Sequence, residues 1–594
     1  MRPLLYLLCI TGWLNTTAQT LPPERLSDWT YPGYPGNFPD SVTIYNVSDF
    51  GIIGDGVTDQ HTALTTLFSG INGSRAVIYF PPGNYKIGQT LDIPDSLILR
   101  GAGSDSTQLS MDLGGTAGDG LIISGSANGT WFPMTGGTEA GSTGLVVNDG
   151  GVIQAGDWIE TRQQNGSWDT QPISWADYSI GQILQVTSRS GDTLICDRPL
   201  RIGYDPGLNP EVSVFTPARE VGLECFSIVR SDNVTAAFCP LINFRHAVNC
   251  YVKGIDVGTS ISAHILLDAA AQITVTGSYF HDAYEYDGAS MHGYGIALYF
   301  HTSDCLIEDN IFRNLRHSLS FQCGANGNVV GYNYSRDPNR SEFPANYGAD
   351  ISMHGHYSYA NLFEGNIVQN IQLDQTWGPS GPRNTFFRNR AELYGILMTS
   401  ATMQSDSQAF VGNEVPNTGL FLGNYTLAGS GHFEHGNMVQ GTLTPAGTGN
   451  LPDSSYYLSG QPDWWSGSSW PGIGVPFVTG SGSNPAFDRY AAGGSLTVCE
   501  RSITTGLSTP GPSDYLLYPN PASRELFLRK ENHEASTSGL IQLFNSHGQL
   551  VFENPLTTDQ VMRIALPYLP AGSYVVKILE KGSEIRQRLM LLPD

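Results

Sequence analysis

Six of the chain's 13 histidines crowd into one stretch, at positions 281, 292, 301, 317, 354 and 356. Beside them, three hexapeptides superpose without gaps: IALYFH from Ile296 to His301, LSFQCG from Leu319 to Gly324, and ISMHGH from Ile351 to His356. IQLDQT, from Ile371 to Thr376, continues the series. Apolar residues recur at every second position, the side-chain period of a strand, so Ile, Leu and Met turn inward. The outward ladder then reads Tyr299, Gln322, His354, Asp374. It is flanked by Ala297, Ser320, Ser352, Gln372 and by His301, Gly324, His356, Thr376. Strands stacked about 4.8 Å apart would bring His354 within hydrogen-bonding reach of Asp374. A carboxylate beside an imidazole fixes its tautomer and raises its basicity, which suits a general base or a metal ligand.

The candidate catalytic set is therefore His354, His356, Asp374 and Arg316, with His292, His301, Tyr299, Gln322, Trp377 and Arg383 as candidate substrate contacts. Three chemistries use residues of these types. A polysaccharide lyase takes the proton α to a uronate carboxylate and needs a base and a cation. His354 or His356 would be the base, and Arg316, Arg383 or a bound Ca²⁺ the counter-charge. A glycoside hydrolase needs two carboxylates across the bond, from Asp282, Glu285 and Asp287 or from Asp350 and Asp374. A non-catalytic glycan-binding or adhesive protein would instead use Tyr284, Tyr286, Tyr294, Tyr299, Tyr347, Trp377, Trp464 and Trp465 as stacking surfaces.

These strands belong to a repeat. Units ending at Asp256, Ser278, Asn310, Asn333, Asn366, Asn389 and Asn413 alternate apolar and polar residues and then turn. Their spacing of mostly 22–24 residues suits one solenoid coil of three short strands (at about 3.3 Å per residue) and three turns. The repeated asparagines would stack as a ladder, tolerating a left-handed turn conformation and bonding to neighbours above and below. Two spacings are about ten residues longer, and both extra segments are polar and contain Met-His-Gly: 281–293 and 336–355. Insertions at one point of nearby coils project from one face and wall a groove.

Asp49-Phe-Gly-Ile-Ile-Gly-Asp-Gly-Val-Thr-Asp59, Ile78-Tyr-Phe-Pro-Pro-Gly-Asn-Tyr85 and Leu97-Ile-Leu-Arg-Gly-Ala-Gly103 resemble the opening of pectate-lyase-like proteins, which include rhamnogalacturonases and epimerase-like members. The resemblance implies a right-handed parallel β-helix over residues 43–430, with a helix from Gln60 to Phe68, capped by Thr58 or Asp59, over its open end. The calcium-binding aspartates of the family's lyases and the paired aspartates of polygalacturonases are not recognisable. Residues 156–214 break the coil pattern and read as a small antiparallel insertion, and 431–503 as an irregular extension.

Tyr518-Pro-Asn-Pro521, Ile541–Leu550 and Leu569–Ile578 resemble the C-terminal sorting domain of type IX secretion in Bacteroidetes, a small β-sandwich over 516–594 reached by a linker over 504–515. That resemblance implies the type IX machinery as a partner and a secreted or outer-membrane-surface location. Met1-Arg2, the apolar run Leu4–Trp13 and Ala18 read as a signal peptide over 1–18, too short to span a membrane. The fold class is thus all-β, a solenoid followed by a sandwich. The net charge of −24 disfavours nucleic acid as a partner. Residues 516–594 hold eight basic and eight acidic residues, so the acidity resides in the solenoid. No cysteine spacing suggests a zinc site, and Cys250, Cys305 and Cys323 read as small buried apolar residues.

Overall fold

The computed structural model describes residues 19–36, 42–71, 73–236, 238–375, 377–398, 405–465 and 469–499. In a second compact unit, beginning at Arg501, it describes 515–518, 524–530, 539–545, 550–557, 561–569, 572–580 and 583–591. The signal-like segment 1–18, Thr376 and the linker stretch 504–513 lie outside the described residues.

The first unit is a right-handed parallel β-helix. A typical coil runs Leu306–Glu308, Ile311–Arg313, His317–Phe321, and the next follows as Val329–Gly331, Tyr334–Arg336, Ala349–Met353. Each first strand pairs in parallel with the first strand of its neighbours, as do the second and third. Alternate side chains fill a continuous apolar interior in which equivalent residues stack. Phe363, Phe386 and Phe410 lie face to face at 4.8 and 5.2 Å. The helix His61–Ile71 closes the first coil with Leu64, Leu67, Phe68 and Ile71, and Asp59 Oδ1 accepts the N–H of His61 at its start.

The asparagines hold the coils in step. At the turn after the first strand, the backbone N–H and side-chain amide of Asn310 both donate to Asn333 Oδ1, at 3.0 Å each. Asn333 repeats this onto Asn366, and the chain continues through Asn389, Asn413 and Asn437. Each amide also donates to a carbonyl of the coil before, as Asn333 does to Ile307 O at 2.9 Å. The left-handed residue is not the asparagine, as expected, but the one before it: Asp309, Tyr332, Gly365, Arg388 and Gly412 have φ between 52° and 67°. The asparagine is thereby free to turn its amide inward. A second ladder, unforeseen in the sequence, runs through Asn328, Asn361 and Asn384 at the turn after the third strand.

The insertion is larger than 156–214. A seven-stranded antiparallel sheet spans Ser126–Ala127 to Glu211–Thr216 around its own core of Leu145, Leu184, Leu194 and Val212. It docks on the third turn of the coils. There Arg198 and Arg201 both pair with the fully buried Asp304, and the carbonyl of Gly181 accepts from Asn326 and Tyr359.

The largely irregular segment after the last coil forms a strap. It returns across the outer face of the first-strand sheet, with Arg388 donating to Leu451 and Ile473 carbonyls and Arg489 pairing with Asp309. Farther back, Val498 N–H bonds Gly277 O, and the strap ends in the Cys225–Cys499 disulfide. Beneath it, Glu308 accepts from Tyr457 Oη, and Glu364 from Tyr332 Oη and the Tyr456 N–H. Burial pushes both carboxyls up to about 7. Cys250, Cys305 and Cys323 are buried and unpaired. In the second unit, a three-stranded and a four-stranded antiparallel sheet enclose Leu526, Leu528, Ile541, Ile564, Val576 and Leu589.

Two outcomes follow. Asn333→Leu strands the buried Asn310 N–H and Ile307 carbonyl, so urea denaturation should register a loss of about 3 kcal/mol. Glu308 and Glu364 bind protons more tightly folded than unfolded, so they stabilise the fold below the ordinary glutamate range, and this is lost as pH rises through about 7. Melting temperature should fall between about pH 5 and about pH 8, and the Glu308→Gln/Glu364→Gln variant should flatten that fall.

Candidate active site

The outward face of the third strands floors a cavity of about 840 Å³. Its register is the gapless one: Ile296 pairs with Leu319, Leu319 with Ile351, and Ile351 with Ile371. One wall comes from the loops between second and third strands, through Met291 and Tyr347, and Trp175 of the insertion and Trp377 also line the cavity. Both long loops leave the same turn of their coils, after Tyr279–His281 and Tyr334–Arg336.

His354 and Asp374 follow the strands Ala349–Met353 and Ile367–Leu373 on neighbouring coils. His354 Nδ1 and Asp374 Oδ2 are hydrogen-bonded, and both side chains are mostly buried, at 13% and 15% exposed. On the other side of the ring, the Trp377 indole N–H donates to His354 Nε2 at 3.0 Å. An indole only donates and a carboxylate only accepts, so this arrangement fits the neutral Nδ1–H tautomer with Nε2 as the basic nitrogen.

Two further groups stand against this pair. Tyr294 lies with its ring 6.5 Å from His354, and burial pushes its phenol up to about 12. The Arg316 guanidinium carbon is 5.7 Å from the Tyr294 ring centre. His317, 5.5 Å from His354, donates from Nδ1 to Ala349 O at 3.1 Å. Burial, then the charge of Arg316, holds its imidazole well below the usual range, so it is neutral. Sequence reasoning named Tyr294 only as a stacking surface and gave His317 no role. The register that aligns them, Tyr294 with His317 and His317 with Ala349, lies just upstream of the hexapeptides.

Of the expected substrate contacts, Tyr299, Gln322 and Trp377 line the cavity, as does Arg316 of the expected catalytic set. His292 sits behind its rim, with Nε2 on Ala236 O and Nδ1 3.0 Å from Asp287. Three further expected site residues turn away from it toward the insertion. His356 is fully buried and faces the insertion, 3.7 Å from Asp169 and edge-on to Trp175. His301 is equally hidden, bonded to Glu160 and to Tyr178 O at 2.6 Å each. Arg383 donates to Arg201 O of the insertion. Trp465, in the strap, is buried against Tyr332 and offers no sugar surface. Of the alternative carboxylates, Asp350 is buried beneath the floor, bonded to Ser335 and to the N–H groups of Gln369 and Asn370. Burial pushes it up to about 6. Among the described residues, Glu285, Asp287 and His292 bring three metal-type donors within 4.8 Å of one another at the cavity's edge.

Residues 44–144 match the family described as rhamnogalacturonase A/epimerase, pectate lyase-like, and residues 516–591 match the secretion system C-terminal sorting domain. The sorting domain indicates secretion or an outer-surface location. No helix among the described residues is long and apolar enough to cross a membrane. The chain is 32% identical over 75 residues to mannuronan C5-epimerase AlgE6 of Azotobacter vinelandii, a match spanning 11% of this chain and 9% of that protein. Among solved structures, the tailspike gp61 of Pseudomonas phage phi297 is similar at 14% identity and a TM-score of 0.47, over 68% of this chain and 76% of that one. The Gp54 tailspike of Acinetobacter baumannii bacteriophage AP22, solved with a capsular saccharide, is similar at 14% identity and a TM-score of 0.40, over 66% and 69%.

The reassignment of His301 is open to test. Burial, the largest influence on the Glu160 carboxyl, raises it, but the hydrogen bond and charge of His301, with the charges of His246 and Arg162, together outweigh it and hold the group low. His301→Ala leaves that carboxylate unpaired and should cost about 3 kcal/mol. Hydrogen exchange should quicken in the strand Trp158–Gln163.

Proposed function

We propose, for a chain that joins a pectate-lyase-like parallel β-helix to a C-terminal secretion sorting domain, that it is an exported enzyme acting on a uronate-containing polysaccharide by β-elimination. The observation that carries the reading is the His354–Asp374 pair in the cavity beside Tyr294 and Arg316. His354 Nε2 takes the C5 proton of a uronosyl unit while Asp374 orients the ring and stabilises the imidazolium. Arg316 offsets the charge that builds on the carboxylate. The C5–H electrons form the C4–C5 double bond and the C4–O bond breaks. The Tyr294 phenol, protonated at neutral pH, gives its proton to the leaving oxygen. Asp374 is committed to His354, which speaks against its serving as one of two hydrolytic carboxylates.

One observation favours a second reading. The curated relative is named as a mannuronan C5-epimerase. Such a reaction starts with the same proton abstraction but returns a proton to the opposite face without cleavage. Incubation with polymannuronate, polyguluronate and polygalacturonate separates the outcomes. The elimination predicts new ends absorbing in the near ultraviolet, lost by about 10²–10⁴-fold in His354→Ala. Inverted C5 centres without cleavage select the epimerase. New reducing ends without absorbance select a hydrolase, and binding without product an adhesive protein.

A further inference from the structure

The proton-accepting nitrogen of His354 is occupied. Its Nδ1 side belongs to Asp374, and its Nε2 takes the indole N–H of Trp377 at 3.0 Å. Imidazole nitrogen has a single lone pair, so a substrate C–H cannot approach Nε2 while the indole is there. The other groups around the ring do not supply this contact. Asp374 is on the opposite nitrogen, the neutral His317 is 5.5 Å away, Tyr294 is 6.5 Å away, and Arg316 lies on Tyr294.

The backbone is built to put the indole there. Gly355, next to His354, has φ +94°, and a Cβ at that position would come 2.7 Å from Gly378 O and 2.9 Å from the Trp377 carbonyl carbon. Gly378 itself has φ +109°. Two glycines on adjacent coils thus let the turn carrying Trp377 close down over His354, a conformation that side chains strain. The indole is nevertheless not buried. Trp377 is 38% exposed, and Trp175, reaching across from the insertion, is 40% exposed with its ring 6.0 Å away and edge-on. Two half-open indoles at the cavity mouth are a platform for the apolar face of a sugar ring.

We propose that Trp377 is a positioning residue that caps the base nitrogen of His354 in the resting protein and is drawn off it when a sugar ring stacks against Trp377 and Trp175. The cap holds Nε2 aimed into the cavity, and Nε2 exchanges one partner for another as substrate arrives. This rests on the reading of His354 as the base, and the test separates the two.

The test is a pH titration of ¹⁵N-histidine-labelled full-length protein followed by NMR, with Trp377→Phe, which keeps the ring and loses the N–H, and Gly355→Ala, which moves the turn and leaves the indole intact. Donation to Nε2 stabilises the neutral ring. Its loss should therefore raise the His354 midpoint by about half to one pH unit in Trp377→Phe. Gly355→Ala should shift it in the same direction. The acid limb of the kcat/KM profile on polymannuronate should move with it, and oligomannuronate added to the wild type should shift the Trp377 indole N–H resonance. An unmoved His354 midpoint in Trp377→Phe overturns the proposal, as does an indole resonance unaffected by a bound oligosaccharide. A midpoint that moves in a protein forming no unsaturated product upholds the cap and removes the base reading. Product formation with an unmoved midpoint does the reverse.

Discussion

The asparagine ladder at the first turn is the constraint on which the site depends. A parallel solenoid has no hairpin to fix its register, and a slip of one residue would exchange the inner and outer faces of every strand beyond it. Each ladder asparagine accepts twice from the asparagine before it and donates to a carbonyl behind it, so a slip would strand several buried polar groups at once. His354 and Asp374 lie 20 residues apart in sequence and make no local contact that would align them. They meet because Asn333, Asn366 and Asn389 count the coils correctly.

The same constraint explains where variation is allowed. The ladders occupy the first and third turns, and the second turn carries none. The long loops 282–293 and 337–348 grow from that second turn, where added length breaks no ladder bond. The antiparallel insertion departs earlier, before the ladders begin, and returns to dock at the third turn through Arg198, Arg201 and Gly181. The site therefore lies between parts the ladder leaves free, on a floor that it fixes.

What was legible in the sequence follows from this. A strict period of two placed Tyr299, Gln322, His354 and Asp374 on one face, and these four line the cavity. The same period failed one step later, at His301 and His356. Both have left-handed backbones, with φ of 61° and 49°, as has Arg383 at 65°. Alternation holds only while the chain stays extended, and a left-handed residue swings its side chain to another direction. Each of these residues turns toward the insertion, whose extent the sequence understated because the strands within 126–147 join its sheet through partners at 193–195 and 211–216. The Asn328–Asn361–Asn384 ladder was hidden because those asparagines follow no common apolar run.

The charge of the chain also reads differently once folded. Spread evenly, a net charge of −24 would repel a polyanion. Several of those acids, however, are buried with carboxyls pushed up to about 6 or 7: Glu308, Asp309, Asp350 and Glu364. They lie inside the solenoid wall and under the strap, and near neutral pH they carry less than full charge. Around the cavity the balance is even, with Arg316 and Arg340 against Glu342 and Asp374, and Asp374 is held by His354. An anionic ligand would therefore meet a site with two guanidinium groups and one carboxylate besides Asp374 (Glu342, bonded to Gly288 N–H) on a protein whose acidity is mostly elsewhere. Local arrangement, not net charge, sets the field that an anionic ligand would meet there.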